Sequence, residues 1–291
     1  MKKLKQIVED IKLLDGSDPE QLQQLLWKLI CYSPKMPGRL HQQQLTDSAE
    51  KDQLKVYDEY FSHSELTFNT FRWGNGPVKV LLTHGWGSKA IDFSELIHAL
   101  LQNPDIEVRA FDAPGNGSSE GELSNLILFA DAVKQMQRTF GMPDVMIGHS
   151  LGGMANAMVI DQTAQYPKVL ISIAPLVNLT ENFRTTMSMT GITEAAQLHF
   201  FKSFEELYGI HTDRFLLNDM YGFAGEVKHL LVYELNDFIS PADYIHAFLR
   251  EHPEISVSQY ADTSHAKIIA DPRVIAEIGQ FIKTHLDQVI S

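Results

Sequence analysis

Short apolar runs alternate with helical periodicity along most of this chain, and that alternation leaves few folds open. Runs at 78–82, 106–111, 145–147, 169–173, 230–233 and 255–259 are separated or followed by stretches with apolar residues at helical spacing. Those stretches cover 93–101, 123–140, 153–165, 242–250 and 274–286. Strands that are apolar throughout are buried on both faces. Strand and helix in alternation build a largely parallel sheet covered by helices on both sides, the α/β class. An earlier strand is predicted around Phe68, Phe71 and Trp73, ending in the turn residues Gly74-Asn75-Gly76-Pro77. Residues 1–30 read as one or two amphipathic helices, with Ile7, Ile11 and Leu14, then Leu22, Leu25, Leu26 and Ile30, on one side. Residues 32–52 are polar and read as irregular.

The alternation breaks once, over about 176–227, in a segment of helical composition too long for a simple crossover. Such an insertion emerges at the carboxyl edge of the sheet and reads as a cap. Phe200, Phe204 and Tyr208 share one helical side within it. They are either a packed stripe or the wall of an acyl or aromatic pocket.

Composition narrows the partners. A formal charge of -13 over 291 residues opposes nucleic acid and anionic membrane surfaces at long range. No stretch approaches eighteen apolar residues, so no span is predicted. Glu9, Asp10 and Lys12 interrupt any apolar segment after the opening Lys2-Lys3-Leu4-Lys5, which therefore does not read as a signal peptide. The single cysteine, Cys31, excludes an internal disulfide and a cysteine-rich metal site. A cytoplasmic protein acting on a small molecule fits these constraints, and monomer and homodimer both remain open.

Gly148-His149-Ser150-Leu151-Gly152 lies where an apolar strand gives way to a helix. A serine set between two glycines at such a turn is a nucleophile elbow: the turn is sharp, and side chains two residues either side would strike neighbouring backbone. The hydroxyl is held out at the carboxyl edge of the sheet, facing the positive end of the following helix.

A serine hydroxyl needs a base within hydrogen-bond reach, and the base needs an orienting acid. In this topology both should follow the serine, acid before histidine, at the ends of later strands. His265 lies in the loop after the 255–259 strand and is the base candidate. His84 precedes the serine and suits a structural hydrogen bond. Asp237 follows the 230–233 strand at a distance that lets its side chain turn toward a histidine, with Glu234, nearer the strand, as rival and Asp262 as the next alternative. A developing oxyanion needs backbone N–H donors. Leu151 N–H follows from the elbow, and Trp86 N–H, in the glycine-flanked loop after the 78–82 strand, is the second choice.

The loop 111–119, Phe-Asp-Ala-Pro-Gly-Asn-Gly-Ser-Ser, reads as a tight turn beside the pocket. It lacks the lysine of a phosphate-binding loop, and neither Gly-x-Gly-x-x-Gly nor His-Glu-x-x-His occurs.

Together HGWGS at 84–88, FDAPGNGSS at 111–119, GHSLGG at 148–153, ELNDFISP at 234–241 and SHAKII at 264–269 resemble the α/β-hydrolase family. The resemblance runs from about residue 67 onward and departs where Ser264 stands in place of a frequent glycine. It implies an eight-stranded, mostly parallel sheet with a helical cap after strand six. The core would comprise 67–175 and 228–291, the cap 176–227, and an accessory segment 1–66. By position it implies Ser150 as nucleophile, His265 as general base, Asp237 as its acid, and Trp86 with Leu151 as oxyanion hole, without cofactor or metal. A serine at 150 disfavours the aspartate-nucleophile branches. The activity implied is hydrolysis of a carboxylic ester or thioester of small to medium size. Amide or carbon–carbon bond hydrolysis and cofactor-free perhydrolysis could use the same residues, and a non-catalytic binding protein on this fold is the alternative of a different class.

Overall fold

The computed structural model describes residues 2–14 and 18–286. Residues 15–17 interrupt the N-terminal helical reading and lie outside the described residues, as does the end of the expected core beyond 286. In chain order the elements are α1 (Lys2–Leu13), α2 (Pro19–Cys31), α3 (Leu40–Ser48), β1 (Glu50–Asp58), β2 (Ser64–Trp73) and β3 (Val78–Thr83). Next come α4 (Ser94–Leu100), β4 (Ile106–Phe111), α5 (Leu126–Phe140), β5 (Val145–His149), α6 (Leu151–Thr163) and β6 (Val169–Ile173). The remainder is α7 (Leu179–Met189), α8 (Glu194–Tyr208), β7 (Lys228–Glu234), α9 (Ala242–Glu251), β8 (Ser256–Tyr260) and α10 (Pro272–Leu286).

The eight strands form one sheet in the order β1-β2-β4-β3-β5-β6-β7-β8. β1 pairs antiparallel with β2, and β2 with β4. All other pairs are parallel, in line with βαβ crossovers. Alternate residues of each central strand feed two separate cores. Leu81, Met146, Leu170 and Leu231 point into one, against α5 and α6 and the N-terminal helices. Val80, Leu82, Val145, Ile147, Val169 and Ile171 point into the other, against α4 and α10. The last helix presents Val274, Ile278, Ile282 and Leu286 to that second core, one residue every four, the stripe that binds a helix to a sheet.

The sheet begins earlier than the sequence suggests. Residues 40–48 are helix α3, and β1 starts at Glu50, inside the stretch that reads as irregular and set apart from the core. The physical reason is position at an edge. In β1 only Val56 and Asp58 are buried, while Lys51, Asp52, Gln53 and Lys55 face solvent. Such a strand carries no apolar run, and its charges oppose pairing with other chains.

Between β6 and β7 the chain leaves the sheet to build α7 and α8 over its carboxyl edge. The Asn178 side chain accepts from Glu181 N–H to start α7, and Gly209, at φ +65°, ends α8 in the left-handed region. Among the described residues no helix is long and apolar enough to cross a membrane.

Candidate active site

Ser150 sits between β5 and α6 with φ 52° and ψ -121°, a conformation that costs a non-glycine residue on the order of 1–3 kcal/mol. Its surroundings hold it there. Ser150 N–H donates to Ile173 O of β6 at 3.0 Å, and Ser150 O accepts from Gly153 N–H at 3.0 Å. The flanking glycines are required by contact. A Cβ at Gly148 would lie 2.6 Å from Gly153 Cα, and one at Gly152 would lie 2.3 Å from Thr83 O and 2.4 Å from His84 O.

His265, in the loop after β8, places Nε2 2.9 Å from Ser150 Oγ. Its Nδ1 lies 2.6 Å from Asp237 Oδ2, in the loop after β7. With Nδ1–H donating to the carboxylate, Nε2 is left as the acceptor facing the serine hydroxyl. The other carboxylate oxygen, Oδ1, accepts from Ile239 N–H at 2.8 Å and Ser240 N–H at 3.1 Å, so the acid cannot rotate freely. Burial acts to raise the Asp237 carboxyl. The hydrogen bond and charge of His265, with the two backbone donors, outweigh burial and hold the carboxyl below its ordinary range.

The rival acids lie elsewhere. Glu234 is buried at the end of β7 and accepts from Asn236 N–H at 2.9 Å, with no bond to His265. Asp262 is turned outward onto Arg273, at 2.7 and 3.0 Å. Asp112 is consumed by Ala90 N–H, Ser118 N–H and the Ser118 hydroxyl, which makes the 111–119 loop a closed turn. His84 accepts from Ala113 N–H through Nε2 at 2.9 Å and donates from Nδ1 to Gly85 O at 2.7 Å. Burial lowers its pKa and keeps this tautomer neutral, the arrangement of a structural histidine.

The Trp86 and Leu151 N–H groups have no backbone acceptor among the described residues, and both residues border the space in front of Ser150. Leu151 is the first residue of α6, so its amide also carries the helix's positive end.

This geometry agrees with what the chain is similar to. The family described as serine aminopeptidase, S33, matches residues 77–210. Mouse monoglyceride lipase is 33% identical over 112 residues, which is 36% of this chain and 37% of the lipase, so the match spans little more than a third of that relative's length. A Pyrococcus furiosus esterase structure superposes with a TM-score of 0.60 at 17% identity, over 88% of this chain and 98% of that one. A thermophilic esterase from Thermogutta terrifontis gives 0.56 at 17% identity, over 80% and 99%. The chain has the α/β-hydrolase fold.

Within this fold the serine and histidine open onto a cavity of about 600 Å³. Phe204 and Tyr208 of α8 line it, and the Tyr208 hydroxyl accepts from Asn125 Nδ2 at 3.0 Å. Phe200 does not line it. Its ring is 0% exposed, 4.9 Å from Trp27 of α2 and 6.0 Å from Phe183 of α7, so the stripe divides between the two readings, Phe200 in the core and Phe204 with Tyr208 at the cavity.

Two features escaped sequence reasoning. Leu4 and Val8 of α1, Leu29 of α2, and Tyr32 and Pro34 beyond it form the wall opposite the cap. Their apolar periodicity is visible, but nothing local shows what they face. The other is His149, whose Nε2–H donates to His265 O at 2.8 Å and so holds the backbone that carries the His265 ring. Burial, reinforced by the nearby His265, pushes His149 down to about 3, and its Nδ1 has no partner.

Proposed function

We propose that the protein is a serine hydrolase, carboxylesterase-like, that cleaves an uncharged carboxylic ester or thioester through an acyl-enzyme. The observation that carries this reading is the row Asp237–His265–Ser150 at 2.6 and 2.9 Å, opening onto a large apolar cavity. His265 takes the Ser150 proton as Oγ attacks the carbonyl, and Asp237 stabilises the imidazolium that forms. The Trp86 and Leu151 amides hold the oxyanion in a site where such donors need no reorganisation. His265 then protonates the leaving alcohol or thiol and activates the water that releases the acid.

The matched relatives include a lipase and esterases by name, which supports ester chemistry. The aminopeptidase family supports an amide instead. The cavity's chemistry favours the ester. Among its described lining side chains there is no Asp, Glu, Lys or Arg, so a substrate's free ammonium group would be desolvated there without a counter-charge. The free, buried Cys31 suits the reducing cytoplasm inferred from the sequence.

Incubation with a fluorophosphonate followed by intact-mass analysis and peptide mapping should give one adduct, on Ser150. A folded protein that stays unlabelled overturns the reading.

A further inference from the structure

We propose that helices α1 and α2 are the ruler for acyl length: the cavity end they wall receives the unbranched hydrocarbon chain of the acyl group. This rests on the serine-hydrolase reading above and adds to it the substrate class.

The cavity that begins at Ser150 and His265 extends to Leu4 and Val8 of α1 and Leu29 of α2. Its volume, about 600 Å³, is several times what an acetyl group fills. An uncharged, mostly apolar space of that size continuous with the nucleophile gains free energy from each methylene it takes out of water.

The wall is fastened on two sides. Toward the cap, the Trp27 ring lies 5.8 Å from Phe204 and nearly parallel to it, at 13°, and 5.9 Å from Tyr208. Gln23 and Trp27 Nε1 both donate to the Ser203 hydroxyl of α8. Toward the loop before α5, Ser124 N–H donates to Cys31 O at 2.8 Å, and Lys3 pairs with Glu122. Phe204 and Tyr208 are thus contacted by α2 on one side and border the cavity on the other. The wall is tied to the cap and to the loop before α5, as a length limit requires.

The test uses p-nitrophenyl acetate, octanoate and dodecanoate with the full chain. kcat/KM should rise with acyl length by up to about fourfold per methylene, the equivalent of about 0.8 kcal/mol each. Leu4→Trp or Val8→Trp should shorten the space and lower the dodecanoate-to-acetate ratio by about tenfold or more. Should either variant fail to fold, the unaltered protein still decides: Ser150 should react faster with a dodecyl than with a methyl fluorophosphonate. Ethyl and dodecyl acetates provide the other arm. A length preference in the alcohol series and not in the acyl series overturns the assignment to the acyl group. Turnover of acetate without gain on lengthening, or a ratio that ignores the α1 substitutions in folded protein, overturns the ruler while the serine-hydrolase reading stands. No turnover and no labelling with any probe overturns both.

Discussion

Replacing Asp237 by asparagine tests the site at the point where the geometry makes the sharpest demand. The acid's Oδ1 is occupied by Ile239 N–H and Ser240 N–H, at 2.8 and 3.1 Å, and Oδ2 faces His265 Nδ1 at 2.6 Å. An amide keeps only one acceptor oxygen. With that oxygen toward the two backbone donors, its NH2 faces Nδ1. His265 must then carry its proton on Nε2, pointing at Ser150, where it can no longer accept the hydroxyl proton. The flipped amide restores the productive tautomer but leaves two buried N–H donors facing NH2, at about 1–3 kcal/mol each. The productive form is therefore disfavoured by about 2–6 kcal/mol, which corresponds to a kcat loss between about thirtyfold and about 10⁴-fold. Loss of the histidine tautomer in a serine triad costs about 10⁴, at the top of that range. The assay is kcat on a good p-nitrophenyl ester for Asp237→Asn and Glu234→Gln, with circular dichroism on both. Glu234→Gln should lose far less, since Glu234 bonds to Asn236 and not to the histidine. A folded Asp237→Asn enzyme retaining more than about a tenth of parental kcat refutes the tautomer argument.

Acid should destabilise the fold well before the carboxylates titrate. His149 and His229 are buried with pKa values of about 3, below the ordinary histidine value, so between about 3 and 6.5 the unfolded chain binds protons that the folded one does not. Stability is complete above that window and falls with pH inside it, by about 4 kcal/mol from pH 7 to pH 5 for the two groups together. Urea unfolding at the two pH values measures the drop, and equal stability at both would remove the argument. Gly152→Ala should destabilise by about 3 kcal/mol or more, because its Cβ would meet the fixed carbonyls Thr83 O and His84 O. Thermal unfolding reads this as a fall in Tm of several degrees, and an unchanged Tm would contradict the close approach.

What the sequence reveals and what it hides follow from the range of the forces involved. The elbow is legible because its strain is local: the contacts of Gly148 and Gly152 forbid any side chain, and the constraint is written within five residues. Asp237 and His265 are legible as candidates because parallel topology sends every loop after β7 and β8 to the edge where Ser150 stands. The α2 wall depends on contacts with α8, whose partners lie well over a hundred residues away, and no local pattern encodes them. β1 is hidden because an edge strand can be polar on most of its residues. Phe200 and Phe204 have the same chemistry and lie on one helical stripe. Both touch Trp27, and only the tertiary packing leaves the first in the core and the second at the cavity.

The bond between Trp27 and Ser203 spans 176 positions of sequence, and the order of synthesis gives that span a meaning in time. At about 5–20 residues per second, the ribosome makes the Trp27 ring roughly ten to forty seconds before the helix it stacks on. Over that interval α2 can pack Leu26 and Ile30 against the emerging α5 and the sheet, but the cap side of Trp27 has no partner. The wall of the cavity therefore cannot close until α8 has been made. A nascent chain stalled before α8 would lack this contact together with Asp237 and His265, so neither the cavity wall nor the row at Ser150 could yet be complete.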